Sequence, residues 1–532
     1  MNQGPEFDFI IVGAGSAGCV LANRLSAKPD VKVLLLEAGG PEVGLYHRAP
    51  AAFYKLFKTK ADWAFYTEPQ AEMNARELFW PRGKVLGGSS AINAMIYMRG
   101  NPRDYDDWHV PGWNYREVLP YFKKLETHFL GPSEYHGNNG PLNVEQRRYT
   151  NPLSYAFVEA GVQAGLKRND DFNGAEQEGV GLLHVTNKNG VRHSAAGAYL
   201  KPILSRPNLA VLTGARVHRV LMEKSRAVGV EYRHQGQVKR AQGSRVIISG
   251  GSVLSPQILM LSGIGPGEHL RQHGISVVQD LPVGQGLWDH LALPVIYRCK
   301  TGVSLDKAEN LANLIQFLTR QNGPFVSNVA EAGAFVRVMP DAPAPDLQYH
   351  FGPAYFADHG FTRPVGNYFT LGPTLIAPES RGFIELKSAD PEANPRIQPR
   401  YLTERHDLEV LQRGVELAQE IASQKAFDPY RGEEAAPGRG KELRAYIRQY
   451  AQTLYHPAGT CAMGRVVDGG LKVYGTENLY VMDASVMPGV IRGNTNAPAI
   501  MVGERGADLL MGVERPMSND ERTPRNAGNP VL

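Results

Sequence analysis

The chain has 532 residues, a length that suits two domains. Its 57 Lys and Arg against 53 Asp and Glu leave a net charge of +4, too even to argue for nucleic acid or an anionic membrane as partner. Three cysteines, Cys19, Cys299 and Cys461, cannot build a disulfide framework and are poorly spaced for a metal site, so no metal is expected. Reduced cytoplasm is the expected location, with peripheral association to the inner membrane left open. No leader is expected, because Phe9–Val12 already reads as a strand, and no run approaches the roughly 18 apolar residues of a membrane span.

In chain order, Phe9-Ile10-Ile11-Val12 is an apolar run suited to a buried parallel strand. Gly13-Ala14-Gly15-Ser16-Ala17-Gly18 fits G-x-G-x-x-G. Cys19–Leu25 has helical spacing, and Val31–Leu36 is a second strand ending at Glu37. In such a unit Gly13 makes the tight turn, Gly15 lets the backbone approach a pyrophosphate, and Gly18 lets helix and strand pack closely. The helix N-terminus, at Ser16 and Ala17, offers free N–H groups to the anion. Glu37 stands where a ribose hydroxyl is bound. The turn alone does not separate FAD from NAD.

Residues 41–81 read as irregular, with Trp63 and Trp80 packed near a cofactor or the core. Arg82–Asn93 is a second glycine-rich turn, and residues 91–99 are expected to continue as a helix through Ile92, Met95 and Ile96. Pro120–Leu125 predicts a short helix, and Ala210–Thr213, Val217–Leu221 and Arg245–Ser249 predict strands. Alternating segments across residues 296–440 suit an antiparallel sheet with helices on one side, a separate substrate domain. Leu479–Ala484 is a last strand returning to the dinucleotide domain. Ala499–Leu510 is a final helix with Pro498 in its first turn. The fold class is α/β (α+β overall), with a Rossmann-like dinucleotide domain that is discontinuous in sequence.

Leu454-Tyr455-His456-Pro457-Ala458-Gly459-Thr460-Cys461-Ala462-Met463-Gly464 sets one imidazole in a loop of small residues. In a chain that binds a dinucleotide, this suggests a catalytic base beside a redox cofactor. Histidine, with an ordinary pKa near ~6.5, suits that task close to neutral pH.

The whole set of motifs resembles the glucose-methanol-choline (GMC) family of FAD-dependent oxidoreductases. Arg82–Asn93 resembles the family's first signature and Gly251–Gly265 its second, in family order with the nucleotide turn and the histidine loop. The resemblance spans about Asp8 to Leu510. Gly323–Gly333 and Pro378–Gly382 are similar to stretches of bacterial choline-dehydrogenase-like and primary-alcohol dehydrogenases.

The resemblance implies FAD-dependent oxidation of a primary alcohol, aliphatic or aryl, to the aldehyde. The hydride goes to flavin N5 and His456 acts as base. Asn496 matches the position where the family carries Asn or His beside that histidine, with Asn494 as the rival in the same loop. Asparagine at 496 could also cap the helix that follows. The backbone of Val85 and of Asn93, Ala94, Met95 and Ile96 is implied to lie along the flavin. Val217 is implied at the adenine, and Asp483 and Ala484 at the pyrophosphate or ribityl chain. Ile92 stands where some members attach FAD through histidine, so non-covalent FAD is expected. The family commonly has Asn where Gly286 stands, which weakens side-chain inferences from Val283–His290.

The implied division has FAD-binding segments at 1–150, 206–295 and 446–515, substrate segments at 151–205 and 296–445, and a disordered tail at 516–532. Choline is an alternative substrate, for which Glu331 is a conceivable partner. A non-redox lyase that cleaves hydroxynitriles is a further alternative. The electron acceptor, whether oxygen, a quinone or another carrier, is not carried by any motif.

Overall fold

The computed structural model describes residues 6–438 and 440–513. The tail at 516–532 lies outside the described residues.

Two sheets organise the chain. The first is built on β1 (Phe7–Val12), β2 (Val33–Leu36), β3 (Leu209–Leu212), β4 (Ala215–Glu223), β5 (Arg226–His234), β6 (Gln237–Ile248) and β7 (Leu479–Val481). β3, β2, β1, β6 and β7 lie side by side in that order, all parallel. All four residues of β2 and the last four of β1 are buried, as a sheet covered on both faces requires. β6 divides its work between two partners. Its first half pairs antiparallel with β5 up to Gln242, and its second half joins β1 from Gly243 onward. The antiparallel ribbon β4–β5–β6 therefore grows out of the parallel sheet. Chain segments far apart in sequence complete this unit.

The second sheet has eight strands, and its pairs are antiparallel. Its two central strands are Leu347–Gly352 and Tyr368–Leu375. Side chains alternate across a strand. Leu347, Tyr349 and Phe351 are buried in one apolar core with residues of the helices Pro152–Gln163 and Arg405–Ser423. The Tyr349 hydroxyl donates to the Gly414 carbonyl at 2.6 Å. The intervening residues His350 and Gly352 face the other way, into the cavity between the sheets, as do Thr370, Gly372 and Thr374.

The helix Ser16–Leu25 lies against the final helix, Asn496–Met511. A Cβ on Gly503 would sit 2.9 Å from the Ala17 carbonyl oxygen, so the two helices touch backbone to backbone. Arg24 and buried Glu504 join them at 2.6 Å.

Two expectations from sequence need correction. Residues 91–99 are not helical beyond a short 3₁₀ turn at Gly88–Ala91. The Asn93 side chain accepts the Met95 N–H at 3.0 Å, and Met95 takes a positive φ of 56°. A side chain that bonds its own backbone two residues on makes a turn and breaks a helix. The final helix starts at Asn496 and not at Ala499. Pro498 is tolerated because first-turn N–H groups have no helical acceptor. No helix among the described residues is long and apolar enough to cross a membrane.

Candidate active site

A cavity of about 330 Å³ runs between the two sheets, from the glycine turn after β1 to the histidine loop. That is within the range of small-molecule sites.

At one end stands the glycine turn. Gly13 has φ +98°, and a Cβ there would lie 2.4 Å from the Ser249 carbonyl oxygen. A Cβ on Gly18 would lie 1.9 Å from the Gly13 carbonyl oxygen. Both glycines are demanded by backbone packing. Gly15 differs: a Cβ there would meet no protein atom nearer than 4.0 Å, and the residue lines the cavity. The space in front of Gly15 is kept for something other than protein. The helix Ser16–Leu25 begins without a capping side chain or an acid in its first turn, leaving N–H groups for an anion. These features fit a dinucleotide pyrophosphate.

Glu37 closes that end. Its carboxylate accepts the Ala14 N–H at 2.9 Å and the Gly39 N–H at 2.8 Å. Burial pushes its pKa up to about 7 against these bonds. Asp483 also lines the cavity, with its oxygens taken by the N–H groups of Gly251 and Ser485 and the Ser255 hydroxyl. The second signature thus anchors Asp483.

At the other end is His456. Its backbone N–H donates to Asp289 Oδ1 at 2.8 Å. Asp289 Oδ2 accepts the hydroxyls of Thr453 and Tyr401. Tyr455, in a left-handed conformation at φ 72°, turns the chain, and Arg82 donates to its carbonyl at 2.5 Å. The loop is therefore held from outside the loop. The imidazole lies between two side chains. Nδ1 is 2.9 Å from His290 Nδ1, and Nε2 is 3.3 Å from Asn494 Nδ2.

Asn494 Oδ1 accepts from Gln348 Nε2 at 3.2 Å, which turns the Asn494 amino group toward His456. In this amide orientation the amino group donates to Nε2, which assigns the ring the tautomer with its proton on Nδ1. Burial, with His290, His350 and Arg82 nearby, holds the His456 pKa well below 6.5. Burial likewise lowers His290 to about 3 and His350 to about 4. Burial favours the neutral imidazole, and the assigned tautomer makes Nε2, beside the Asn494 amide, its acceptor nitrogen.

Of the residues singled out by sequence, Gly13, Gly15, Ser16, Ala17, Glu37, Asn93, Ala94, Met95, Ile96, Val217, Asp483, Ala484, His456 and Asn496 all line this cavity. Gly18 and Val85 are not among the lining residues. Gly18 is spent on the turn itself, and Val85 is buried in an apolar cluster with Phe53, Phe57 and Phe79. Asn496 is not the side chain beside His456. It is the first residue of the final helix, and its Oδ1 accepts from the Ser16 hydroxyl at 2.7 Å. It does not cap that helix, whose N-cap is Thr495. Asn494 takes the place expected of Asn496.

Glu331 is fully buried and engaged by the Asn151 N–H and the Ser154 and Ser327 hydroxyls, away from the cavity. Asp289, His290 and Gln348 received no role from sequence. Asp289 and His290 sit in a stretch already singled out, yet no local pattern ties them to His456.

Fold and site together define a dinucleotide-dependent oxidoreductase with a histidine at the reacting end. Two family models described as GMC oxidoreductase match residues 7–292 and 378–503. The chain is 44% identical over 528 residues to an alcohol dehydrogenase (acceptor) of Pseudomonas putida, covering 95% of this chain and 96% of that one. It is 43% identical over 534 residues to the mitochondrial choline dehydrogenase of Homo sapiens, covering 95% and 90%. Among solved structures, pyridoxine 4-oxidase from Mesorbium loti superposes with a TM-score of 0.88 at 32% identity, covering 96% of this chain and all of that one. The chain belongs to the GMC oxidoreductase family, FAD-dependent enzymes acting on CH–OH donors.

Proposed function

We propose that this protein oxidises a neutral primary alcohol, aliphatic or aryl, to its aldehyde, with His456 as base. The observation that carries this is the placement of His456, a cavity-lining imidazole with Nδ1 2.9 Å from His290 Nδ1 and Nε2 3.3 Å from the Asn494 amide. Bound FAD supplies the hydride acceptor. Nε2 takes the hydroxyl proton, and the charge that forms on His456 is met by His290. The Asn494 amide hydrogen-bonds the substrate oxygen and orients it. Asp289 and Arg82 fix the loop so that Nε2 stays in place.

Phe53, Phe57, Phe356 and Tyr455 make the substrate end apolar and aromatic. The acids lining the cavity, Glu37 and Asp483, belong to the nucleotide end. The charged groups near His456, Arg82 and Asp289, hold its loop in place. No carboxylate lines the substrate end of the cavity to meet a quaternary ammonium, which favours a neutral alcohol over choline. The choline dehydrogenase among the relatives keeps choline as the second reading.

Non-covalent FAD is supported by Ile92, an apolar side chain in the cavity wall with no nucleophile. Residues 1–150, 206–295 and 446–515 would form the FAD-binding unit, and 151–205 with 296–445 the substrate unit. Three buried free thiols suit a reducing compartment, the cytoplasm. The experiment is a panel of aliphatic alcohols, aryl alcohols and choline, added anaerobically to the yellow protein. Neutral alcohols should bleach the flavin faster than choline at equal concentration. Preferential bleaching by choline would reverse the substrate assignment, and no bleaching by any alcohol would remove the oxidation.

A further inference from the structure

Val329 takes a φ of +66°. A β-branched side chain is crowded by its own backbone there, and glycine is the residue that meets this geometry without strain. Val329 is the only β-branched residue with a positive φ among the described residues, and it lines the cavity.

The surrounding chain holds this conformation from both sides. Glu331, two residues on, accepts the Ser327 hydroxyl at 2.5 Å. It also accepts the Asn151 N–H and the Ser154 hydroxyl, each at 2.7 Å, at the N-terminus of the helix Pro152–Gln163. The Ser327 oxygen in turn accepts the Val329 N–H at 3.1 Å. Arg147 donates to the Glu331 carbonyl. Asn328 donates to the Ala94 carbonyl at 2.9 Å, which ties the loop to a second wall of the cavity. A strained backbone persists only where its surroundings over-determine it, and such residues gather at functional sites.

The side chain so held stands at the substrate end. Val329 packs against the apolar cluster that contains Phe53 and Ile92, as do Ala94 and Phe356. A Cβ built on Gly352 would lie 3.5 Å from Val329 Cγ1, so one methyl stands close over that glycine. Gly352 follows His350 by two positions on the strand Leu347–Gly352, and both line the cavity.

We propose that Val329 determines substrate specificity by size. Its branched side chain, pressed into the cavity by the Glu331 anchor, occupies the space that a quaternary carbon beside the carbinol would need. Glu331 acts through the loop, as a positioning residue, and does not touch the substrate. Glycine would fit the backbone better and would leave that space open. The proposal rests on the alcohol reading and narrows it to primary alcohols without a quaternary carbon next to the carbinol.

The test uses the purified holoenzyme and two alcohols, 1-butanol and 2,2-dimethyl-1-butanol, with kcat/KM measured for each. Wild type should prefer 1-butanol. One carbon in an apolar pocket is worth about 10–200-fold in discrimination. In Val329→Gly the ratio of branched to straight alcohol should therefore rise about tenfold or more, with flavin per chain unchanged. Val329→Ala should move the ratio the same way by less, and it carries the test should the glycine variant fail to fold. Val329→Ile should lower the ratio further. A loaded Val329→Gly or Val329→Ala enzyme with the wild-type ratio would overturn the proposal, as would a wild type that prefers the branched alcohol. Failure of wild type to oxidise any alcohol would instead remove the alcohol reading, and this narrowing with it.

Discussion

His290 and His456 meet through their Nδ1 atoms at 2.9 Å, with their rings 88° apart. One nitrogen must donate and the other accept. The Asn494 amide at the far side of His456 assigns the proton to His456 and the lone pair to His290. His290, fully buried and lowered to about 3, stays neutral and can serve as that acceptor. We infer that it is a positioning residue, which holds the His456 ring through Nδ1.

Replacing His290 with alanine should lower kcat by about 10–100-fold, the usual worth of a partner that orients a working histidine. Flavin content should not change. Protonated His456 cannot take a proton, and burial holds its pKa below 6.5. The acid limb of kcat/KM should therefore lie below 6.5 in wild type, with a plateau above it. His290→Asn, which keeps an acceptor, should recover part of the loss. A His290→Ala enzyme with wild-type kcat and pH profile would remove this role.

The two asparagines of the Asn494-Thr495-Asn496 loop should separate in their effects. Asn494→Ala removes the amide beside His456 and should lower kcat by about 10²–10³-fold with flavin retained. Asn496→Ala removes the acceptor of the Ser16 hydroxyl, which ties the final helix to the glycine turn. It should weaken flavin retention more than it lowers turnover per bound flavin. Measuring kcat per flavin and flavin per chain for both variants checks this, and the reverse pattern would restore Asn496 to the reacting end.

The glycine turn, Glu37 and His456 were legible because each belongs to a local pattern with its own physical reason. The asparagine register was not legible. Two asparagines stand two residues apart, and the choice rests on where the final helix starts, which turns Asn496 toward Ser16. His290 is 166 positions from His456, so only tertiary packing brings them together. The spacing of Ile92, Met95 and Ile96 suggested a helix. Burial from several sides satisfies those side chains on an irregular backbone, and the Asn93 turn decides the conformation.

Gly15 makes a test of space. Gly15→Val should fold and lose flavin, because the added side chain enters the cavity and meets no protein atom at Cβ nearer than 4.0 Å. Gly18→Val should instead damage the fold, since its Cβ would lie 1.9 Å from the Gly13 carbonyl oxygen. Thermal unfolding and flavin absorbance distinguish the two. A yellow, fully loaded Gly15→Val protein would show that the pyrophosphate lies elsewhere.

A buried ionic group that does not line the cavity should set acid stability. Arg99 pairs with Glu126 at 2.7 Å, and His136 bridges Glu126 and Asp171 at 3.0 and 2.8 Å. Burial opposes ionisation, yet Arg99 and His136 hold Glu126 at about 2, and His136 holds Asp171 at about 2. Unfolded carboxylates titrate near ~4. Their contribution is complete above about 4 and is lost as pH falls toward 2. His136, raised above 6.5 by the two carboxylates against burial, contributes fully below 6.5 and loses its share as pH rises through the folded value. Glu126→Gln leaves Arg99 buried without its counter-charge and should cost about 3–5 kcal/mol at neutral pH. Its Tm should also fall less steeply than wild type between about pH 4 and 3. Equal Tm values for the two proteins across pH would contradict this.

The most direct measurement is anaerobic stopped-flow bleaching of the flavin by an alcohol that wild type oxidises, repeated with His456→Ala. Removing a general base costs about 10²–10⁴-fold. The bleaching rate constant should fall by that amount while the variant stays yellow and fully loaded. Bleaching within a few-fold of wild type would show that the hydroxyl proton does not go to His456.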